Sequence, residues 1–210
     1  MRLLTDWVAR RESVPVMPRA KTFDPDVALD RAVELFWRCG YDGASMVKLL
    51  EFMGISRQSL YDTFGDKHRL YLAAVDRYRA KLRVQLKEML ATEESGVAGI
   101  RAGFEAVMRV VVEDPEHRSC LMANAALELG QRDPEVRARV AEHLRDIEEL
   151  FYGALERAIA AGEVPEGRGA RSLARFLTNS IHGVGVMARG GLEEGVLRDT
   201  VDTTLSLLAA

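Results

Sequence analysis

The chain has 210 residues, of which 48% are hydrophobic and 29% are charged, and its formal net charge is −3 at pH 7. This length and composition indicate a globular protein whose core forms either one domain or a small domain joined to a larger one. Because no run approaches about 18 apolar residues and no signal-peptide pattern is present, we expect a soluble, cytoplasmic protein with no membrane partner.

The cysteines and the charge distribution indicate the class of protein more closely. Cys39 and Cys120 stand far apart in different predicted helices, which argues against a disulfide framework and fits a reducing compartment. Residues 1–90 contain 16 Lys and Arg against 12 Asp and Glu, whereas residues 91–210 contain 13 against 20. This asymmetry favours a nucleic-acid surface near the N-terminus, although the basic residues at 77–87 could equally form a solvated helix face.

Residues 1–22 are predicted to be an arm or extension ahead of the first helix. Pro15 and Pro18 disfavour a continuous helix there. Arg19 and Lys21 form a short basic arm of the kind that reaches a DNA minor groove or the phosphate backbone. Met17 is an alternative start, in which case residues 1–16 are an upstream extension.

Caps and apolar periodicity predict an all-α fold. Asp24-Pro25 begins the first helix, and Gly40 is expected to end it. Asp133-Pro134 begins the longest later helix. No strand pattern appears, and nine helices are predicted, at about residues 24–38, 45–53, 56–64, 66–90, 97–113, 120–129, 134–161, 170–189 and 194–208.

Residues 45–64 are predicted to form two short helices around a tight turn. Ser45 and Ser56 are N-caps, and Gly54 closes the first helix. Leu60 and Phe64 are four residues apart, so they share an inward face. The outward face is polar, as a reader of base edges requires, although an ordinary helical hairpin would have the same pattern. The predicted inward residues around the turn also include Val47, Leu49, Leu50, Met53 and Ile55; Gln58, Ser59 and Asp62 are predicted to point outward, with Arg57 and Tyr61 at the flanks of the inward stripe.

These landmarks together resemble the N-terminal DNA-binding domain of the tetracycline-repressor (TetR) family. The resemblance spans roughly residues 24–78 and is carried by Gly40-Tyr41, Ser45, Gly54-Ile55-Ser56, Leu60-Tyr61, Phe64 and Lys67. It implies that Arg57, Gln58 and Ser59 contact bases. It further implies that Ser45, Tyr61 and Lys67 contact phosphates, with a half-buried core position as the alternative for Tyr61. The chain departs from the family in the bulk of the residues before the turn: Leu49, Leu50, Phe52 and Met53.

The family resemblance also implies a helix-turn-helix domain over residues 23–68 and a helical ligand-binding and dimerisation domain over residues 69–210. The last two helices are apolar on two sides, which indicates two neighbours: the domain core and the same helices of a second copy. The alternative is a thicker monomeric core. The predicted dimer interface consists of Leu173, Leu177, Ile181, Val184, Leu197, Val201, Leu205 and Leu208.

A small-molecule inducer is implied by the same resemblance, and its site is expected in the second domain. The candidate lining combines apolar, soft and polar-tipped side chains on inward helix faces. The candidates are Tyr78, Phe104, Met108, Cys120, Met122, Asn124, Phe151, Tyr152, Phe176 and His182. The segment 120–124 also resembles one found in electrophile-responsive members, so thiol sensing by Cys120 is a second hypothesis. Cysteine is among the most often buried residues, however, and only His117 and Arg118 are basic neighbours in sequence.

Enzyme and metal chemistry find little support in the sequence. It has no Gly-rich phosphate loop, CxxC, HExxH or nucleophile elbow. His68, His117, His143 and His182 lie on separate segments without ligand spacing, so no metal site or cofactor is predicted. The resemblance to the TetR family implies a ligand-responsive repressor, a homodimer released by a small molecule from a palindromic double-stranded DNA operator. The alternative is an all-helical protein-interaction module without DNA binding.

Overall fold

The computed structural model describes residues 23–92, 95–113 and 120–208. Within those ranges the chain is helical and contains no strand, which confirms the predicted all-α class. The basic arm with Arg19 and Lys21 and the alternative start at Met17 lie outside the described residues. The nine described helices are α1 (Pro25–Gly43), α2 (Met46–Met53), α3 (Arg57–Phe64), α4 (Lys67–Thr92), α5 (Gly96–Glu113), α6 (Leu121–Leu129), α7 (Pro134–Ala160), α8 (Ala170–Arg189) and α9 (Glu194–Ser206).

Local caps explain where the helices begin. Asp24 accepts hydrogen bonds from backbone N–H groups in the first turn of α1, and Asp133 does the same for α7. Ser45 and Ser56 cap α2 and α3 by accepting from the third residue beyond each of them. These short side-chain acceptors satisfy N–H groups that have no partner inside the helix. Gly54 adopts a left-handed conformation, with φ 69°, and closes α2.

Gly40 interrupts α1 and bends the chain between two helical segments. Its φ of 71° and ψ of −179° lie in a region that is essentially restricted to glycine, and the helix resumes to Gly43. A Cβ at this position would stand 2.7 Å from a carboxylate oxygen of Glu128, which packs against the bend. The regular helix therefore breaks at Gly40, where the sequence predicts its end, and the short helical segment to Gly43, which packs against Glu128, was not predicted.

Two hydrophobic clusters form the core. The first joins α1–α3 and the N-terminal half of α4, and it also takes side chains from α6 and α7, among them Met122, Leu129 and Val136. Phe36, Tyr41 and Tyr71 meet edge to face at its centre, with Phe36–Tyr71 and Tyr41–Tyr71 ring centroids 4.9 and 5.0 Å apart. The second cluster joins the rest of α4 with α5, α7, α8 and α9. Because α6 and α7 contribute to the first cluster, hydrophobic packing does not separate the predicted DNA-binding domain from the rest of the chain near residue 68. That domain boundary therefore stays a prediction.

α4 is shared by both clusters and is tied to its neighbours by ion pairs. Arg77 contacts Asp26 and Asp30 on α1 at 3.2 and 3.0 Å. Its hydrogen bond holds the pKa of the Asp30 carboxyl below the ordinary value. On the opposite side, Arg79 and Asp76 of α4 pair with acidic and basic side chains of α7. α4 is thereby fixed to α1 and α7 together.

Some predicted burial positions around the turn were wrong. Val47 is 58% exposed, because it lies on the side of α2 opposite to Leu49 and Met53, which are the buried residues of that helix. Ile55 and Phe64 are only half-buried, although both pack against the first cluster. None of the helices that the structure describes is long and apolar enough to span a membrane.

The predicted dimer residues lie in the protomer's own core. α8 packs against α5 and α7, while α9 packs against α5 and α8, so their largest aliphatic side chains point inward. The assignment of these residues to an interface between copies was wrong, because this chain already supplies the second neighbour. The reassigned residues are Leu177, Ile181, Val184, Leu197, Val201, Leu205 and Leu208, which are buried, and Leu173, which is half-buried against them.

Candidate nucleic-acid interface and effector cavity

The outward face of α3 is solvent-exposed. Arg57 and Gln58 in its first turn are exposed, and Tyr61 is 45% exposed one turn later. Leu60, on the opposite side, is completely buried and anchors the helix against the first cluster. This is the arrangement that a recognition helix needs, because polar side chains must reach base edges while the helix stays rigid. The exposure of Tyr61 disfavours the alternative of a core aromatic.

Hydrogen bonds organise this face. Gln58 Nε2 donates to Asp62 Oδ1 at 2.8 Å, so the amide and the carboxylate hold each other. The Ser56 hydroxyl donates to Ser59 Oγ at 2.9 Å, and the Ser59 backbone N–H donates to Ser56 Oγ at 3.0 Å. Ser59 is half-buried in this cap, which leaves Arg57 and Gln58 as the more accessible of the predicted base-contacting residues.

Three residues beside α3 could contact phosphates. Ser45 is exposed at the start of α2. Lys67, at the start of α4, places its ammonium 4.4 Å from the centre of the Tyr41 ring, a cation–π contact that orients it. The sequence prediction missed Lys48, which is exposed and donates from Nζ to Gly43 O at 3.2 Å. Its position three residues after the Ser45 cap was a signal that it shares the same side of α2.

A cavity of about 530 Å³ lies between α1, α4, α5, α7 and α8, a size typical of drug-sized ligands. Of the predicted ligand residues, Tyr78, Cys120 and His182 line it. Charged side chains at one side come from α1 and α4, so the cavity touches the same helix that carries the Gly40 bend. The lining that the sequence prediction missed includes Val33, Trp37, Leu82, Leu86, Val107, Val111, His143 and Ile147.

The other predicted ligand residues do not line this cavity. Phe104, Met108, Met122 and Phe151 are packed within the two hydrophobic clusters, and Asn124 is half-buried on α6. Tyr152 lies near the surface, where the Arg171 guanidinium stacks 3.8 Å from its ring centre and its hydroxyl donates to Glu156. Phe176 is 40% exposed on the outward face of α8. Helical periodicity identifies inward faces, but it does not indicate where packing leaves a void.

At the floor of the cavity, Cys120, His143 and His182 converge. Their ligand atoms all lie within 4.8 Å of one another. His182 Nδ1 is 2.7 Å from Thr178 O, and since a carbonyl only accepts, Nδ1 carries the proton. His182 Nε2 is 3.3 Å from His143 Nε2. His143 is completely buried, and within the described part of the chain its Nδ1 has no hydrogen-bond partner. The two histidines lie on separate helices, as the sequence predicts, and they meet because α7 and α8 pack against each other.

The electrostatics of the floor favour a charged thiol. Burial opposes ionisation of Cys120, but hydrogen bonds and positive charge from His143 and His182 outweigh it and lower the pKa of the thiol to about 5. Burial acts to lower the pKa of His182, yet its hydrogen bond with the Cys120 thiolate leaves that pKa raised. The pKa of Tyr78 is raised by burial and by the adjacent Cys120 charge.

α6 connects the cavity floor to the Gly40 bend. Cys120 occupies the position just before the helix, and Glu128 lies in its last turn. The Glu128 carboxylate accepts from the backbone N–H groups of Tyr41 and Asp42, both at 2.8 Å. Arg132 then pairs with Asp42 at 2.6 Å, just beyond α6. A displacement at the floor can therefore reach the bend through one helix about 13 Å long.

The turn between α6 and α7 adds a second contact with the DNA-binding side. His68 Nε2 lies 2.6 Å from Asp133 Oδ2, next to Lys67 at the start of α4. Asp133 also caps α7 by accepting from the backbone N–H groups of Glu135 and Val136. Burial acts to raise the pKa of Asp133, but these two N–H groups and His68 hold that pKa below the ordinary value. The two halves of the chain are therefore joined by charge-assisted hydrogen bonds as well as by apolar packing.

Comparisons with known proteins match both halves of the chain. The family described as "Bacterial regulatory proteins, tetR family" matches residues 28–74, and the one described as "Tetracyclin repressor-like, C-terminal domain" matches residues 96–204. The chain is 35% identical over 193 residues to the uncharacterized HTH-type transcriptional regulator YezE of Bacillus subtilis (strain 168), covering 91% of this chain and 100% of that protein. It is 30% identical over 190 residues to the HTH-type transcriptional repressor ComR of Escherichia coli (strain K12), covering 90% of each.

A solved structure extends the comparison to a DNA complex. The chain superimposes with a TM-score of 0.79 and 29% identity on a cysteine mutant of the TetR family transcriptional regulator CifR complexed with a 26-base-pair double-strand operator DNA. The match covers 91% of this chain and 100% of that chain. The described fold is therefore close to one that has been observed on an operator.

Replacing Glu128 with Ala is expected to loosen the Gly40 bend. Hydrogen–deuterium exchange at the Tyr41 and Asp42 amides should accelerate roughly 10- to 100-fold, because hydrogen bonds to charged acceptors contribute about 1.5–3 kcal/mol. Glu149→Ala is the matched control, since Glu149 pairs with Arg171 on the surface. Unchanged exchange at both amides in Glu128→Ala would contradict the role of this carboxylate.

Proposed function

The chain belongs to the TetR family of transcriptional regulators, and from this premise we propose that it represses genes by binding a palindromic operator as a homodimer and dissociates when a small molecule occupies its cavity. The observation that carries the proposal is the exposed α3 face, with Arg57 and Gln58 outward and Leu60 buried behind them. Repression, rather than activation, is favoured by the names of relatives such as ComR.

DNA binding is supported by the distribution of side chains around α3. Arg57 and Gln58 have the chemistry that pairs with guanine and adenine edges in the major groove. Ser45, Lys48 and Lys67 flank that helix on α2 and α4, where phosphates would pass. Arg19 and Lys21 are proposed as further contacts from the arm. Together these groups would provide both base recognition and backbone positioning.

A dimer is supported by the outward face of α8 and α9, although through residues other than those first predicted. Phe176, Asn179, Gly183 and Met187 follow one another at helical spacing along this face, beside Thr203 of α9. A Cβ at Gly183 would meet nothing within 4 Å, so a second helix can approach closely there. The face is continuous over several turns, and a two-fold dimer would bury it against itself.

The cavity supports a small, largely apolar effector with at least one hydrogen-bonding group. Its walls are mostly aliphatic and aromatic, while the floor presents a thiol and two imidazoles. Val33 and Trp37 of α1 belong to the wall, so an effector would contact the DNA-binding side directly. Only a difference in effector affinity between the bound and released conformations changes operator occupancy, and about 1–3 kcal/mol would change it 5- to 150-fold.

Covalent sensing by Cys120 is a second candidate for the effector chemistry. The observation that favours it is the position of the thiol on the cavity wall between His143 and His182. An activated alkene would add to the Cys120 thiolate, forming a carbon–sulfur bond while its neighbouring carbon takes up a proton from solvent, whereas a reversible effector would leave the protein mass unchanged. The same cavity would serve both kinds of ligand.

Selection of bound fragments from random duplexes with purified protein tests the DNA-binding proposal. We expect a palindromic consensus, and Arg57→Ala should weaken binding to it by about 1–3 kcal/mol for each base that Arg57 reads. Lys48→Ala should weaken all sequences alike and reduce the salt dependence by about one unit of slope for each phosphate that Lys48 neutralises. Lys87→Ala, an exposed change on α4, should bind as the wild type does. Recovery of no consensus would favour the protein-interaction module instead.

Placing a charge on the proposed interface should separate the dimer. Phe176→Asp is expected to give a monomeric mass in analytical ultracentrifugation at micromolar concentration, because the carboxylate would be buried opposite its symmetry-related copy. Operator affinity should fall with it, since two linked recognition helices are needed for a palindrome. Val84→Asp alters an exposed valine on α4, and this variant should stay dimeric. A dimer that persists in Phe176→Asp would exclude this face.

Filling the cavity should abolish effector binding. Small apolar and electrophilic compounds can be screened by thermal shift. A compound that binds the cavity is expected to stabilise the wild type by about 2.7 kcal/mol at a ligand concentration 100 times its Kd. Ala106→Trp places an indole in the cavity and should remove that shift, whereas Ala80→Trp, an exposed change on α4, should retain it. Mass spectrometry then separates an adduct on Cys120 from reversible binding. Equal shifts in both variants would place the ligand elsewhere.

A further inference from the structure

Three donor atoms of the kinds that transition metals prefer meet at the cavity floor. They come from separate elements: Cys120 precedes α6, His143 lies in α7 and His182 in α8. The sulfur and the two imidazole nitrogens all lie within 4.8 Å of one another. Thiolate with imidazole is the donor set of zinc and of other thiophilic ions, whereas magnesium and calcium require oxygen ligands.

The spacing of the nitrogens matches tetrahedral coordination. Two imidazole nitrogens bound to one Zn²⁺ at about 2.0–2.1 Å stand about 3.3 Å apart when the geometry is tetrahedral. His143 Nε2 and His182 Nε2 are 3.3 Å apart. Neither ring therefore needs to move toward the other for both to reach a shared ion.

The outer contacts of His182 orient its ligand atom. Its Nδ1–H donates to Thr178 O at 2.7 Å, so the lone pair of Nε2 faces the cluster. Metal-bound histidines are commonly held this way, by a carbonyl or carboxylate on the other ring nitrogen. His143 has no such partner on Nδ1 within the described residues, and it is completely buried. Its ring is positioned by packing between α7 and α8 instead.

We propose that Cys120, His143 and His182 form a binding site for a thiophilic metal ion, with Zn²⁺ as the ion whose geometry they fit. Binding displaces to solvent the proton that Cys120 and His182 share, and it forms one metal–sulfur and two metal–nitrogen bonds. The fourth position faces the cavity, where water or a donor group of an effector completes the tetrahedron. Three protein ligands with one open position are typical of zinc sites that also bind a small molecule.

The site would have a regulatory consequence that rests on the proposed function. An ion bound to Cys120 ties the start of α6 to α7 and α8, and the other end of α6 carries Glu128 at the Gly40 bend. Metal occupancy should therefore change operator affinity, within the 5- to 150-fold range that couplings between sites usually span. Metal binding itself does not depend on this step.

Cobalt titration of the full-length, metal-stripped protein tests the site directly. We expect one Co²⁺ per chain, with a sulfur-to-cobalt charge-transfer band and the strong visible bands of tetrahedral cobalt, and we expect Zn²⁺ to displace it. Cys120→Ser should abolish the charge-transfer band. His143→Gln and His182→Gln should weaken Zn²⁺ binding by more than the roughly 10- to 100-fold that removal of an outer hydrogen bond costs.

Two matched variants control for the other cysteine and another histidine. Cys39→Ser removes the thiol that donates to Leu35 O, and His68→Gln removes the histidine that pairs with Asp133. Both should retain the cobalt spectrum and the Zn²⁺ affinity of the wild type. Circular dichroism of each variant confirms that it is folded, and if His143→Gln fails to fold, the wild-type spectrum and Cys120→Ser decide the question.

The outcomes separate the metal site from its regulatory role. Absence of a stoichiometric tetrahedral spectrum, or a charge-transfer band that persists in Cys120→Ser, overturns the site. Tighter binding of Cu⁺ than of Zn²⁺ in a chelator competition, abolished in the same three variants, supports the site and identifies the monovalent ion. A normal cobalt spectrum combined with unchanged operator affinity supports the site and overturns its link to DNA binding.

Discussion

The carboxylate of Glu128 at the Gly40 bend is the contact on which the arrangement of the two halves depends. It accepts hydrogen bonds from two backbone N–H groups that a bent α1 could not satisfy within the helix, and it lies 87 and 86 residues further along the chain than these two donors. The bend brings Tyr41 against Tyr71 in the first cluster, and the outer side of the Tyr41 ring supports Lys67. The position of Lys67, a candidate for phosphate binding, thus depends on α6, whose other end lies at the cavity floor. Glycine is required here by its positive φ, and a Cβ would in addition displace the Glu128 carboxylate, which would lie 2.7 Å from it.

Local chemistry explains why so much of the fold could be predicted from the sequence. Each N-cap side chain accepts hydrogen bonds from residues no more than three positions further along the chain, so a short segment is enough to predict where its helix starts. These caps are Asp24, Ser45, Ser56 and Asp133. The polar face of α3 could be predicted for the same reason, because its orientation follows from the burial of Leu60 alone. The bend at Gly40 could not, since its helical continuation requires a partner from α6 that periodicity does not reveal.

Tertiary packing accounts for the predictions that failed. The aliphatic stripes of α8 and α9 correctly indicated extensive burial, but their neighbours are α5 and α7 of the same chain, and the outward face with Phe176 is the less apolar one. The cavity lining was predicted only in part, because a void appears where helices diverge. The proximity of His143 and His182 depends on how α7 and α8 cross, and the spacing of residues along the sequence does not predict that crossing.

Communication between the cavity and DNA can follow two physical routes in this fold. One runs through α6, from Cys120 to the Glu128 contact. The other is direct, because α1 and α4 contribute to the cavity wall and Arg77 links those two helices through Asp26 and Asp30. A ligand that separates α1 from α4 would act first on the cluster between those two helices, whereas a ligand held at the floor would act first on α6, which also packs in that cluster. The two routes meet at Tyr41 and the start of α4, so both would change the spacing of the recognition helices through the same elements. Effectors of different shape can therefore produce the same release, provided that each binds one arrangement of these helices more tightly than the other.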